Sequence, residues 1–243
     1  MITRFAPTPS GFLHLGNAVH ARLLTILAEE HGWSIRLRID DLDPDRTRPE
    51  YVADILHLVE WLDMPIDGDV WRQSDHLDDY LQARDQLIDC GAYVCACSRS
   101  DWAEHAGPGC PRACSGLKLI SGITALRIAT EGDDIVVWRR EGIPAYHLAS
   151  IVDDDLMGVT RILRGEDLLA STKTQRHLSA LLPENGFTDI EVVHHPLVTS
   201  VRGEKLSKSA GAQAQPLERT PEIRDEIERG AEQMREALTN LRP

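Results

Sequence analysis

No apolar run in these 243 residues approaches the roughly 20 that a membrane-spanning helix requires. The chain also has no signal-peptide pattern, since residues 1–5, MITRF, lead straight into structured sequence, and a cytoplasmic location is expected. Positive charge is scarce, with 26 Lys and Arg against 39 Asp and Glu and a formal net charge of −13. That balance argues against indiscriminate nucleic-acid binding but leaves room for a local basic surface. Internal repeats and low-complexity linkers are absent too. What remains is an ordinary 42% hydrophobic content, enough to build a substantial core in one or two domains.

Cysteine is sparse and unevenly placed. Cys90 stands alone and reads as a buried helix residue, whereas Cys95, Cys97, Cys110 and Cys114 share one short segment. In an intracellular chain such clustering favours a metal over disulfides. Four thiolates suit a tetrahedral Zn²⁺, and the loop holding Gly107, Pro108, Gly109 and Pro111 has no apolar pattern to fold it unaided. With four protein ligands no position stays open for water, so one structural rather than catalytic zinc per chain is expected.

Periodicity predicts a buried strand over residues 2–6, a helix over 18–30 and an alternating strand over 33–40. Such a β-α-β unit implies a parallel sheet in an α/β fold, with ligands at the carboxyl ends of the strands. The acidic run "DDLDPDR" (40–46) falls on that edge; Asp41, Asp43 and Asp45 within it read as solvated or helix-capping. Helices are expected over 49–62, 75–90 and 166–182, and strands over 123–129, 134–139, 145–152, 159–163 and 191–198. A final helix spans 221–241. Its region carries Arg219, Arg224, Arg229, Arg235 and Arg242 interleaved with acids, the pattern of a solvated helix.

The stretch "PTPSGFLHLGN" (7–17) joins the first strand to the first helix. A strand, a tight loop and a helix start together present backbone N–H groups and a positive dipole end, to which phosphate is the usual ligand. Gly11 and Gly16 permit close backbone approach, and His14 adds a donor. Near the other end, "GEKLSKS" (203–209) sets Lys205 and Lys208 around Ser207, mobile positive charge able to close over a triphosphate.

The pair His14-Leu15-Gly16-Asn17 and Lys205-Leu206-Ser207-Lys208-Ser209 resembles the "HIGH" and "KMSKS" signatures of class I aminoacyl-tRNA synthetases. "RFAPTPSGFLHLGN", "RIDDLDPDR", "PAYHLASIVDD" and "RILRGEDLLAST" are similar in order and spacing to the glutamyl branch, over residues 2–209. The chain ends 34 residues after Ser209, without the anticodon-gripping helical domains of ordinary glutamyl enzymes. In this it resembles the glutamyl-queuosine tRNA(Asp) synthetases. That resemblance implies a Rossmann-like catalytic domain in two halves, 1–92 and 117–210, a zinc-binding insertion at 93–116 and a short helical segment at 211–243.

It also implies a ligase, expected to be monomeric, that activates L-glutamate with ATP and Mg²⁺ and transfers it to queuosine in the anticodon loop of tRNA(Asp). Catalytic roles pass to His14, Lys205 and Lys208, and ATP contacts to His14, Gly16, Asn17, Lys205, Ser207 and Lys208. Glutamate contacts pass to Arg4, Ala6, Thr8, Asp40, Tyr146 and Arg164, consistent with the match between guanidinium forks and carboxylates. Three positions depart from the family pattern: Asp40 stands where glutamyl enzymes have Glu, Ser150 where full-length ones have Asn, and Cys110 where a tyrosine ligand is expected. Two other readings stay open, a ligase acting on a small non-tRNA acceptor and a non-catalytic zinc-bearing nucleic-acid-binding module.

Overall fold

The computed structural model describes residues 1–105, 109–112, 114, 116–131, 134–196 and 215–240. In chain order its elements are β1 (Ile2–Phe5), α1 (Leu15–His31), β2 (Ser34–Ile39), α2 (Pro49–Trp61), β3 (Trp71–Arg72), α3 (Leu77–Asp89), β4 (Tyr93–Cys95), α4 (Arg99–Ala103), β5 (Ala125–Ile128), β6 (Ile135–Trp138), α5 (Tyr146–Leu156), β7 (Arg161–Gly165), α6 (Leu169–Ser179), β8 (Glu191–His195) and α7 (Pro221–Asn240). They fall into two compact units, one of Met1–Asp75, Gly158–Ala170 and Ile190–Pro243, the other of His76–Met157 and Ser171–Asp189.

In the first unit β1, β2 and β3 run parallel, with Ile2 opposite Ser34 and Arg38 opposite Trp71. Strands β7 and β8 form a second parallel ladder, Arg161 opposite Glu191. β1 lies beside β7, where the Thr160 N–H donates to Ile2 O at 2.9 Å. The β1-α1-β2 crossover matches its sequence pattern. Helix α1 buries residues nearly all round, Leu23 and Leu24 completely, because α7 covers the side that a surface helix would leave wet.

That packing corrects the expected character of the last helix, which is not simply solvated. Ile227 and Ala231 are fully buried and Met234 nearly so, and Gly230 lets the helices approach. A Cβ there would meet Val19 Cγ2 at 3.1 Å. Ion pairs also tie this region to the rest of the unit: Arg224 with Asp63, Arg235 with Glu30 as well as with Glu232 of its own helix, and Glu228 with Arg22 of α1.

In the second unit β4, β5 and β6 form an antiparallel sheet, with Tyr93 opposite Arg127 and Leu126 opposite Trp138. The strand expected over 145–152 is instead helix α5. Pro144 precedes its N-cap, and Leu148, Ala149, Ile151 and Val152 recur at helical spacing on a buried face. The adjacent β-branched pair Ile151-Val152 imitates a strand locally. The polar side chains buried with them are hydrogen-bonded: Tyr80 donates to Asp153 Oδ1 at 2.6 Å, and Gln175 Nε2 to Ser150 Oγ at 2.5 Å. Cys90 is another correction. It lies one residue beyond α3, exposed, with its thiol against Leu181 O at 3.2 Å.

Two contacts hold the first unit's helices to the loops and strand ends of its sheet. Asp54 of α2, only 4% exposed, accepts from the Leu13 N–H at 2.9 Å and from Arg219 Nη2 at 2.6 Å. His20 Nδ1 lies 3.0 Å from His195 Nε2, and His195 Nδ1 lies 2.8 Å from Pro196 O. That carbonyl only accepts, so His195 carries its proton on Nδ1 and His20 donates to Nε2. Burial, His195 and Arg4 together push the His20 pKa down to about 3.

Asp54→Ala is expected to destabilise the protein by about 3 kcal/mol, since it strands both a buried N–H and a guanidinium. Urea denaturation measures this, and a loss below about 1 kcal/mol would contradict the assigned role. His20 carries its proton below pH 6.5 when unfolded but is neutral when folded until about pH 3. Its contribution is therefore complete above 6.5 and is lost as pH falls from there toward 3, at most about 1.4 kcal/mol per pH unit. The stability difference between wild type and His20→Asn, measured at pH 7.5 and 5, should shrink at the lower pH.

Candidate active site

The loop leaving β1 is shaped largely by backbone bonds. Asp40 N–H donates to Pro7 O at 3.1 Å and Ser10 N–H to Thr8 O at 2.9 Å, while Leu13 N–H is held by Asp54. His14 is the N-cap of α1 in extended conformation, and its N–H donates to Asn17 Oδ1 at 3.1 Å. Its ring covers Gly16, where a Cβ would come within 3.0 Å of Cε1 and 3.1 Å of Nδ1. A larger residue there would push the ring aside by a few tenths of an ångström. His14 Nδ1 is buried and has no hydrogen-bond partner among the described residues, and burial lowers the ring's pKa. The positive end of a 17-residue helix suits an anionic oxygen.

Arg4 of β1 and Arg164 of β7 lie on neighbouring strands, and both are buried, at 6% and 4% exposure. Asp40, just past β2, receives the Arg38 fork: Nε to Oδ1 at 2.6 Å and Nη2 to Oδ2 at 3.3 Å. Arg38 is itself buried, at 1% exposure. In the sequence it passes for a member of β2's polar face; its place two residues before an acidic side chain was the available signal. Asp41 is also buried rather than solvated or helix-capping. Its carboxylate accepts from the Ser74 N–H at 2.9 Å, Ser74 Oγ at 3.0 Å and Arg72 Nη1 at 3.5 Å.

Of the site residues expected from sequence, the first unit brings Arg4, Ala6, Thr8, His14, Gly16, Asn17, Asp40 and Arg164 to its β1, β2 and β7 carboxyl edge or the α1 start. Tyr146 opens α5 in the second unit and is 43% exposed. Lys205, Ser207 and Lys208 lie outside the described residues. Asp54 and the His20–His195 pair were not foreseen; their partners are too distant in sequence to give a local signal.

The second unit gathers the four clustered cysteines, whose sulfurs all lie within 4.8 Å of one another. The Sγ separations are 3.7 Å for Cys95–Cys110, 3.4 Å for Cys97–Cys110 and 3.8 Å for Cys97–Cys114. A tetrahedral Zn²⁺ with bonds of about 2.3 Å spaces its sulfurs by about 3.8 Å, so the donor set fits that ion. Burial raises the Cys95 and Cys97 thiols. Burial also acts to raise Cys110, but backbone N–H groups of Cys114 and Arg112 offset it and hold the thiol at about 7. Arg140 Nη2 pins the first knuckle through Ala96 O at 2.6 Å and Cys97 O at 2.5 Å. Among the described residues no helix is long and apolar enough to cross a membrane.

The family model for the catalytic domain of class I tRNA synthetases (E and Q) matches residues 1–107 and 118–227. The glutamyl-Q tRNA(Asp) synthetase of Pseudomonas fluorescens is 38% identical over 229 residues, covering 86% of this chain and 76% of that one. The glutamate–tRNA ligase of Nitratidesulfovibrio vulgaris is 36% identical over 247 residues, but the chain spans only 52% of it. Among solved structures, glutamate-tRNA synthetase from Elizabethkingia anophelis superposes with a TM-score of 0.68 at 22% identity, over 86% of this chain and 52% of that one. This last likeness is one of fold. The parallel sheet, the His14 helix start and the two edge arginines have the same source as these matches: the chain belongs to the family of class I tRNA synthetase catalytic domains of the E and Q type.

Proposed function

We propose that this chain activates L-glutamate with ATP and transfers the glutamyl group to queuosine in the anticodon loop of tRNA(Asp). The observation that carries the amino-acid assignment is the pair of buried guanidiniums, Arg4 and Arg164, beside a phosphate-suited helix start. Two fixed cations suit a substrate with two carboxylates, and Asp40 supplies an anion for its ammonium. For the acceptor, the support is likeness: glutamyl-Q tRNA(Asp) synthetases are 38% and 35% identical to this chain over 86% and 89% of its length.

In this reading the α-carboxylate of glutamate attacks the α-phosphorus of ATP, the bond to the bridging oxygen breaks, and pyrophosphate departs. The chain contributes position and charge rather than a covalent nucleophile. Arg4 and Arg164, with Ala6 and Thr8, hold the amino acid. His14 and the backbone around Gly16 and Asn17 hold phosphate oxygens, and Lys205, Ser207 and Lys208 take the charge that accumulates on the leaving pyrophosphate. Mg²⁺ carried in with the nucleotide supplies further neutralisation at those oxygens. A hydroxyl of queuosine's cyclopentenediol then displaces AMP from the activated carbonyl. Cys95, Cys97, Cys110 and Cys114 hold one structural Zn²⁺, which fixes the 93–116 module by tying its two Gly/Pro-separated ends together. Monomeric action in the cytoplasm completes the proposal.

Glutamate-dependent exchange of pyrophosphate into ATP is expected without any tRNA, together with label transfer from glutamate to queuosine-containing tRNA(Asp). Label on the 3′ end of tRNA(Glu) instead would overturn the acceptor assignment. Arg164→Ala should lower kcat/KM for glutamate by roughly 100-fold, the scale of a lost charge-assisted contact, with ATP affinity nearly unchanged. For the metal, native mass spectrometry should find one zinc per chain. Cys110→Ser should weaken its retention against a chelator by at least about tenfold; metal-free protein with unaltered thermal stability would count against a zinc site.

A further inference from the structure

Beside the acidic run, and entirely within the first unit, lies an open cavity of about 650 Å³, within the range of roughly 300–1,000 Å³ typical of small-ligand sites. It opens where β2 and β3 end, one residue past Asp40. Its walls are Pro44, Pro49, Val52, Ala53 and Leu56, and its polar end is Asp41 with Ser74 and Arg72. No step of the proposed activation uses it. We infer that this cavity receives an unstacked nucleotide of the RNA acceptor, a deepening that rests on the transfer reaction proposed above.

Three features favour a nucleotide. The walls are apolar and rigid at the prolines, as a flat base requires, and Leu56 is left 37% exposed on them. At the polar end, Asp41 accepts three hydrogen bonds. A carboxylate offers about four acceptor positions, so one is left for an amino or imino N–H of a base edge. Arg72 lines the cavity with its side chain 40% exposed, and Arg46 and Arg48, both exposed, flank the lining residues Thr47 and Pro49 in sequence, in a protein of net charge −13. Arg48 also lies over the Tyr51 ring at 5.9 Å, and Tyr51 meets Phe12 edge-on at 5.0 Å. An apolar slot with a hydrogen-bonding floor and a guanidinium rim is how proteins take splayed-out bases from single-stranded loops. Asp45 and Glu50 in the same stretch keep it from being a general phosphate trap. Recognition is therefore by shape and base edge more than by backbone charge.

The test is to fill the cavity. Ala53→Trp and Leu56→Trp project from exposed positions of α2, and neither residue belongs to the activation machinery. Each variant should exchange pyrophosphate with wild-type kinetics, which also certifies its folding, while its KM for queuosine-containing tRNA(Asp) rises by about tenfold or more, the scale of a lost base-stacking contact. Arg72→Ala should raise the same KM, with partial rescue by Arg72→Lys. Wild-type tRNA kinetics in both tryptophan variants would overturn the cavity assignment and leave the proposed function standing. If wild type itself exchanges pyrophosphate but labels only a small amine or hydroxyl acceptor and no RNA, the transfer reading fails and this inference falls with it.

Discussion

Asp54 is the constraint on which the ligand-bearing edge depends, because it is one buried carboxylate answering to two parts of the chain at once. One oxygen holds the Leu13 N–H, the last free donor before the His14 cap, and the other holds Arg219, just ahead of α7. A loop built from prolines and glycines has little side-chain packing to fix it. The carboxylate therefore does for the signature loop what a core would do elsewhere. Since Arg219 leads into the helix that covers α1, the same contact ties α7 to α2 and to the loop that precedes α1.

The parts that were legible in the sequence are those whose cause is local. The β1-α1-β2 unit shows in its periodicity, the signature loop in its Pro and Gly residues, and the thiol cluster in its spacing. What stayed hidden was decided by partners far along the chain. Asp54 contacts residues 41 and 165 positions away, and within α2 it looks like any polar helix residue. His20 and His195 are 175 positions apart. Arg38 was hidden differently: a strand covered on both sides buries its alternate face as well, so a residue placed like a solvent-facing one becomes an internal ion-pair partner. Helix α5 was misread because Ile151 and Val152 gave a strand-like run inside a helical face.

The charge balance of this edge follows from these hidden contacts. The protein is strongly acidic overall, yet this edge buries three guanidiniums, Arg4, Arg38 and Arg164. Arg38 binds Asp40 through both carboxylate oxygens, which fixes that acid on the edge where Arg4 and Arg164 are buried. The histidine pair beside Arg4 is held neutral chiefly by burial, which outweighs the opposite pull of the Pro196 carbonyl on His195. A protonated imidazole there would add repulsion to Arg4 and make the edge's charge depend on pH across the physiological range. As built, its positive charge resides on guanidiniums, which do not titrate.

Asp40 gains a meaning from the same geometry. A shorter acid in place of glutamate retracts the carboxylate by about one methylene, and the Arg38 fork fixes it in that retracted place. The anion is then presented by a rigid pair rather than a flexible arm, and the space given up lies at the strand end, where Asp41 begins the wall of the adjoining cavity. Arg72 and Ser74 grip Asp41 much as Arg38 grips Asp40. Two consecutive acids, each locked by its own donors, thus divide the edge. Asp40 lies on the edge that carries the buried Arg4 and Arg164, and Asp41 lines the apolar slot together with Arg72. An enzyme that joins a small acid to an RNA base needs those two environments side by side, kept from merging by groups that do not move.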